Sequence, residues 1–112
     1  MGDCLFCKIV AGDIPAEKVH EDELVLAFRD ISPQAPTHVL VIPKEHVVSV
    51  GGLGDAQQAL AGRLLVVAAK VAAAEGLDDF RLVANTGARA GQSVFHLHLH
   101  VLGGRGFSWP PG

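Results

Sequence analysis

The chain has 112 residues, 49% of them hydrophobic and 19% charged, and a net charge of −3. That length makes one domain, residues 1–112, with a core that an oligomer interface would strengthen. The acidic balance leaves no basic field for a nucleic-acid backbone, and no stretch has the length of a membrane span, so the expectation is a cytoplasmic protein with neither kind of partner.

Residues 4–10 are apolar except for Lys8, and Gly12 stops them before Ile14-Pro15, which predicts a short helix. Phe6, Ile9 and Ile14 form an apolar patch. Cys4 and Cys7 stand as a Cys-x-x-Cys pair, a spacing that suits metal or redox chemistry better than a disulfide framework. Two small buried hydrophobes are the plainer alternative. Strands are expected over residues 18–21 and 25–29, with Asp22-Glu23 as the turn and Asp30 ending the second. Ser32-Pro33-Gln34-Ala35-Pro36 is a rigid loop, because each proline fixes its own φ and extends the residue before it.

A strand over residues 38–42 follows, where Val39 and Val41 alternate with His38, Leu40 and Ile42. Asp55 is the expected N-cap of the main helix, with Gln58 in the capping-box position. Leu60, Leu64, Val67 and Val71 make one apolar stripe ending near Gly76. Residues 80–85 read as a strand, 86–92 as a glycine-containing loop, and the segment beyond as the last strand. Short connections argue for an antiparallel sheet in an α+β fold, its Leu97 and Leu99 face covered by the long helix.

In that last segment His96, His98 and His100 fall at every second position inside an apolar frame. On a strand they share one face, with His96 and His100 roughly 13 Å apart at about 3.3 Å per residue. Three imidazoles in register point to a need for imidazole itself, as nucleophile, acid/base or metal ligand. Asn85, Gly91, Gln92 and Ser93 place neutral hydrogen-bond donors nearby, as phosphoryl or nucleotidyl transfer requires.

The run His96-Leu97-His98-Leu99-His100-Val101-Leu102 resembles the His-x-His-x-His signature of the histidine triad (HIT) family. Phe28 to His38, Asn85, Gly91-Gln92-Ser93 and the ending Trp109-Pro110-Pro111-Gly112 look like its Hint branch, the nucleotide-binding purine nucleoside phosphoramidases. The resemblance implies a sheet of about five antiparallel strands with one long and one short N-terminal helix, in a two-fold dimer. It implies hydrolysis of a purine nucleoside phosphoramidate or related phosphoanhydride through a nucleotidyl-histidine on His98. His100 and His38 would support the phosphate-side network, and Asn85, Gly91, Gln92 and Ser93 would bind phosphate oxygens and the leaving group. Phe6, Ile9, Ile14, Phe28, Ile31, Leu40 and Val94 would wall a purine pocket, Asp30 would accept from the ribose hydroxyls, and Trp109 would reach the neighbouring subunit's site. The Cys-x-x-Cys pair departs from the general Hint pattern and looks like bacterial members in which Cys4, Cys7, His46 and His96 would hold a structural zinc. Two other readings stand beside this one: an AMP-binding sensor or scaffold module with little turnover, and a zinc-dependent hydrolase ligated by alternating triad histidines.

Overall fold

The computed structural model describes residues 3–112. Its helices are α1 (Leu5–Ala11) and α2 (Gln58–Ala74), and its strands are β1 (Lys18–Glu21), β2 (Val25–Arg29), β3 (Thr37–Pro43), β4 (Phe80–Val83) and β5 (Leu99–Gly103). The strands form one antiparallel sheet in the order β1-β2-β3-β5-β4. No helix among the described residues is long and apolar enough to cross a membrane.

Both sheet faces are covered, which is why β2 and β3 read as nearly unbroken apolar runs. On one face Val25, Ala27, Val39, Val41, Leu97, Leu99 and Val101 pack against Leu60, Leu64, Val67 and Val71 of α2. On the other, Leu26, Phe28, Leu40 and Ile42 meet Phe6 and Ile9 of α1. Fully burying one such side chain contributes about 1.5–3 kcal/mol. Two ion pairs tie α2 to the sheet: Arg29 grips Glu75 at 2.7 and 3.1 Å, and Arg63 donates to Asp22 at 2.9 and 3.1 Å.

α1 is held at both ends. The Cys7 N–H donates to Cys4 Sγ at 3.4 Å, and Gly12, at φ +84°, turns its N–H back to the Ile9 carbonyl. The start of α2 differs from expectation. A 3-10 turn over Asp55–Gln57 precedes the helix; the Gly54 N–H donates to Gln57 Oε1 at 2.8 Å and the Gln57 N–H returns to the Gly54 carbonyl at 2.9 Å, so the turn is closed by the Gln57 side chain one residue earlier than Asp55 and Gln58 would cap it.

The last strand is also shorter than expected. β5 begins at Leu99, so His96 and His98 precede it, and β4 correspondingly ends at Val83 opposite His100. The cause lies in β3, which closes on Pro43 and lacks an N–H there to continue the ladder, while the Leu97 N–H goes to the Val47 carbonyl at 2.6 Å. The two-residue alternation nonetheless persists through residues 96–101, leaving the leucines toward α2 and the imidazoles on the α1 side.

Candidate active site

A cleft of about 290 Å³ opens on the α1 side of the sheet. Phe6, Ile9 and Ile14 line it from the N-terminal segment, and Phe28, Asp30, Ile31 and Leu40 from the end of β2 through β3. Ser93, Val94, His98 and His100 close it. Phe6 stands edge-on to Phe28 and to His98, with ring centroids 5.5 and 5.1 Å apart, so one aromatic joins the apolar wall to the imidazoles. Ile31 is 99% exposed and forms an open lip.

His98 has a defined tautomer. Its Nδ1 lies 2.7 Å from the His96 carbonyl oxygen, which only accepts, so Nδ1 carries a proton and the neutral ring keeps its lone pair on Nε2. No fully buried side-chain nitrogen or oxygen among the described residues lacks a partner, so this unpartnered Nε2 faces open space. In its neutral form His98 thus presents an oriented Nε2 lone pair at the head of an apolar cleft. The carbonyl that orients it belongs to the neighbouring triad histidine, which spacing alone did not reveal.

His100 stands beside His98 with ring centroids 4.9 Å apart, and its Nδ1 lies 2.9 Å from His38 Nε2. Asp30 Oδ2 lies 3.5 Å from that same His38 nitrogen, while its Oδ1 accepts the Ser32 N–H at 2.8 Å. Burial pushes the His100 imidazole down to about 4, with His98 and His38 adding like-charge repulsion against the pull of Asp30. Burial also lowers His38, and Asp30 opposes it. A stability consequence follows. The unfolded imidazole takes its proton near 6.5 and the native His100 only near 4, so between these values the unfolded chain binds more protons and stability falls as pH drops. Thermal midpoints should decline over that window, and His100→Gln should flatten part of the slope; an unchanged slope in that variant would assign the decline to other groups.

The loop before the triad does less than its residue types suggested. The Gly91 N–H is occupied by the Ala88 carbonyl. Gln92, expected to donate to phosphate, is 4% exposed, and its amide donates to the Val48 and Val94 carbonyls while its Oε1 accepts the Gly87 N–H. It braces the loop from inside. Gly91 takes φ +103°, a left-handed backbone that favours glycine, while a Cβ there would meet Asn85 Nδ2 only at an ordinary contact distance of 3.5 Å. Of that group only Ser93 lines the cleft. Trp109 is 83% exposed, in a tail held by Arg81 donating to the Ser108 carbonyl, and does not line its own chain's cleft.

His96 turns away from the cleft into a second constellation. Its Nε2 bonds the Pro43 carbonyl at 2.8 Å, which leaves the Nδ1 lone pair pointing at Cys4, Cys7 and His46. The four donor atoms all lie within 4.8 Å of one another. Cys4 Sγ to His96 Nδ1 and Cys7 Sγ to His46 Nδ1 are both 3.3 Å, Cys7 Sγ to His96 Nδ1 is 3.5 Å, and the two Nδ1 atoms are 3.2 Å apart. A tetrahedron with zinc–ligand bonds of 2.0–2.3 Å has edges of about 3.3–3.8 Å, so the donor set fits such an ion. The carbonyl-bound far nitrogen of His96 is the support a metal-ligating imidazole ordinarily has.

Comparison with known proteins agrees with this geometry. The HIT domain model matches residues 11–107. An uncharacterised HIT-like protein of Synechocystis is 56% identical over 111 residues, covering 98% of this chain and 97% of that one. Among solved structures, a HIT family hydrolase from Legionella pneumophila superposes with a TM-score of 0.95 at 53% identity, covering 98% of this chain and 100% of that one. A histidine triad protein from Clostridium difficile gives 0.92 at 44% identity, over 96% of each chain. With the triad at the head of its cleft and the match spanning nearly the whole sequence, this chain belongs to the HIT domain family.

Proposed function

We propose that the protein is a Hint-type hydrolase of purine nucleoside 5'-phosphoramidates or related nucleotidyl anhydrides. The observation that carries this reading is His98: its proton is fixed on Nδ1 by the His96 carbonyl and its Nε2 lone pair opens into a cleft of nucleoside size. In the first step Nε2 attacks the α-phosphorus and forms a P–N bond, the bond to the leaving amine breaks, and the amine takes a proton from solvent. Water then attacks phosphorus, the His98–phosphorus bond breaks, the ring regains its lone pair and a proton returns to solvent. The flat apolar wall of Phe6, Ile9, Phe28 and Leu40 suits a purine, and the two oxygens of Asp30 suit a pair of ribose hydroxyls.

The Cys4, Cys7, His46 and His96 set is proposed to hold a structural zinc. Four protein donors leave no open position on a tetrahedral ion, which assigns the ion to stability, and His96 turned to the cysteines is not available to pair with His98 on a hydrolytic zinc. An AMP-binding module with little turnover is separated by one measurement. Rapid-quench mass spectrometry with adenosine phosphoramidate should show the protein heavier by one adenylyl group at His98; a quench series with no adduct and no product leaves the binding module.

A two-fold dimer is also proposed. β4 is an edge strand that exposes Phe80 and Leu82, and Trp109 projects from a tail that does not fold onto its own cleft. Deleting residues 107–112 should change the ranking of leaving groups by about tenfold while shifting the melting temperature little, since few contacts hold the tail. Unchanged kinetics across several leaving groups would remove the tail from the site.

A further inference from the structure

The rigid loop between β2 and β3 delivers a backbone group to the site. Gln34 lies between Pro33 and Pro36, its side chain donates to the Ser32 carbonyl at 3.0 Å, and its own carbonyl accepts from Arg105 Nε at 3.0 Å. Its main-chain N–H points at His38 Nδ1, 3.0 Å away. A backbone N–H only donates, so His38 Nδ1 must present a lone pair, and the proton of the neutral ring sits on Nε2. That Nε2–H then donates to His100 Nδ1 at 2.9 Å. With its Nδ1 accepting, His100 must carry its own proton on Nε2, the nitrogen left without a protein partner in a ring that lines the cleft.

We infer that the Gln34 main-chain N–H is a positioning group that sets the direction of the His38–His100 chain, so that His100 offers the substrate a standing Nε2–H donor and His38 cannot store a second proton. Passing a proton from His100 to His38 would put one on His38 Nδ1, directly against the Gln34 N–H. His38 is 6% exposed, so water has little room to relieve that meeting of two donors. The same direction opposes a metal held by Asp30, His38 and His100, although their donor atoms lie within 4.8 Å: ligation through His38 Nε2 would drive its proton onto Nδ1. Of the two imidazoles that line the cleft, neutral His98 thus presents a lone pair and His100 an N–H. The ligand atom that meets His100 must be an acceptor, a phosphoryl oxygen or the leaving atom. The functional meaning rests on the proposed phosphoryl transfer, whereas the proton placement does not.

Histidine-selective ¹⁵N labelling with two-bond proton–nitrogen correlation at neutral pH tests the placement, with His38→Gln assigning the His38 signals. Both His38 and His100 should be Nε2–H tautomers. A His38 that is Nδ1–H, doubly protonated or metal-shifted would overturn the inference. Replacing residue 34 by the α-hydroxy analogue of glutamine turns one amide into an ester and deletes this single N–H. The His38 ring should then lose its tautomer preference, and kcat on adenosine phosphoramidate should fall about five- to tenfold, the worth of one hydrogen bond, with KM within about twofold. An unchanged His38 tautomer in the ester variant would equally overturn it, and a merely structural role for the N–H would shift the melting temperature without moving the tautomer. If the parent protein shows the expected tautomers but no turnover, the placement stands and only the proposed reaction falls.

Discussion

His98→Asn should lower turnover of adenosine phosphoramidate by at least about 10⁴-fold while leaving AMP affinity within about tenfold. The asymmetry comes from where the ring sits. Among the described residues, its Nε2 is the imidazole nitrogen that the inferred hydrogen-bond directions leave with a lone pair toward the cleft, because His96 is turned to the cysteines and His100 accepts through Nδ1. Asparagine removes the nucleophile, yet the apolar wall and Asp30 remain to hold the nucleoside. Stopped turnover with intact AMP binding, read by calorimetry, is the expected pair of results. Substantial residual hydrolysis in this variant would exclude a covalent intermediate on His98.

The largest effect on stability is expected at the cysteine–histidine centre. Protein purified without chelator should contain about one zinc per chain, by the tetrahedral fit of its four donors. Cys4→Ser should lower the melting temperature by about 10 °C or more, since a tightly bound ion present in excess stabilises the native state by several kcal/mol. α1 is the reason the loss should be large locally: Cys4 caps it, Cys7 lies on it, and Phe6 and Ile9 between and beyond them pack into the second core. Turnover at His98 should survive at temperatures where the variant is folded, because His98 is oriented by a carbonyl and not by the ion. Metal-free protein with both cysteines reduced and an unchanged melting curve would end the assignment.

Local periodicity was enough to place the first strands and the facing of the sheet. β1 and β2 fall on their expected residues, and the stripe of Leu60, Leu64, Val67 and Val71 is buried as drawn, because both depend on short-range periodicity that survives into the native state. The two-residue repeat of histidine and leucine also separated the α2 side of the sheet from the α1 side correctly, even where no regular ladder forms. Its geometry was another matter. A row of equivalent imidazoles on one strand became three different groups, and the difference is set by partners 53, 2 and 62 residues away in sequence: the Pro43 carbonyl for His96, the His96 carbonyl for His98 and the His38 ring for His100. An imidazole reads the same in any sequence, and only the tertiary arrangement decides which of its nitrogens holds the proton. Gln92 makes the same point from the other side. Its amide could serve a phosphate, but Val48, brought in from the segment after β3, and Val94 take both its donor bonds, and a buried amide is held by the acceptors around it.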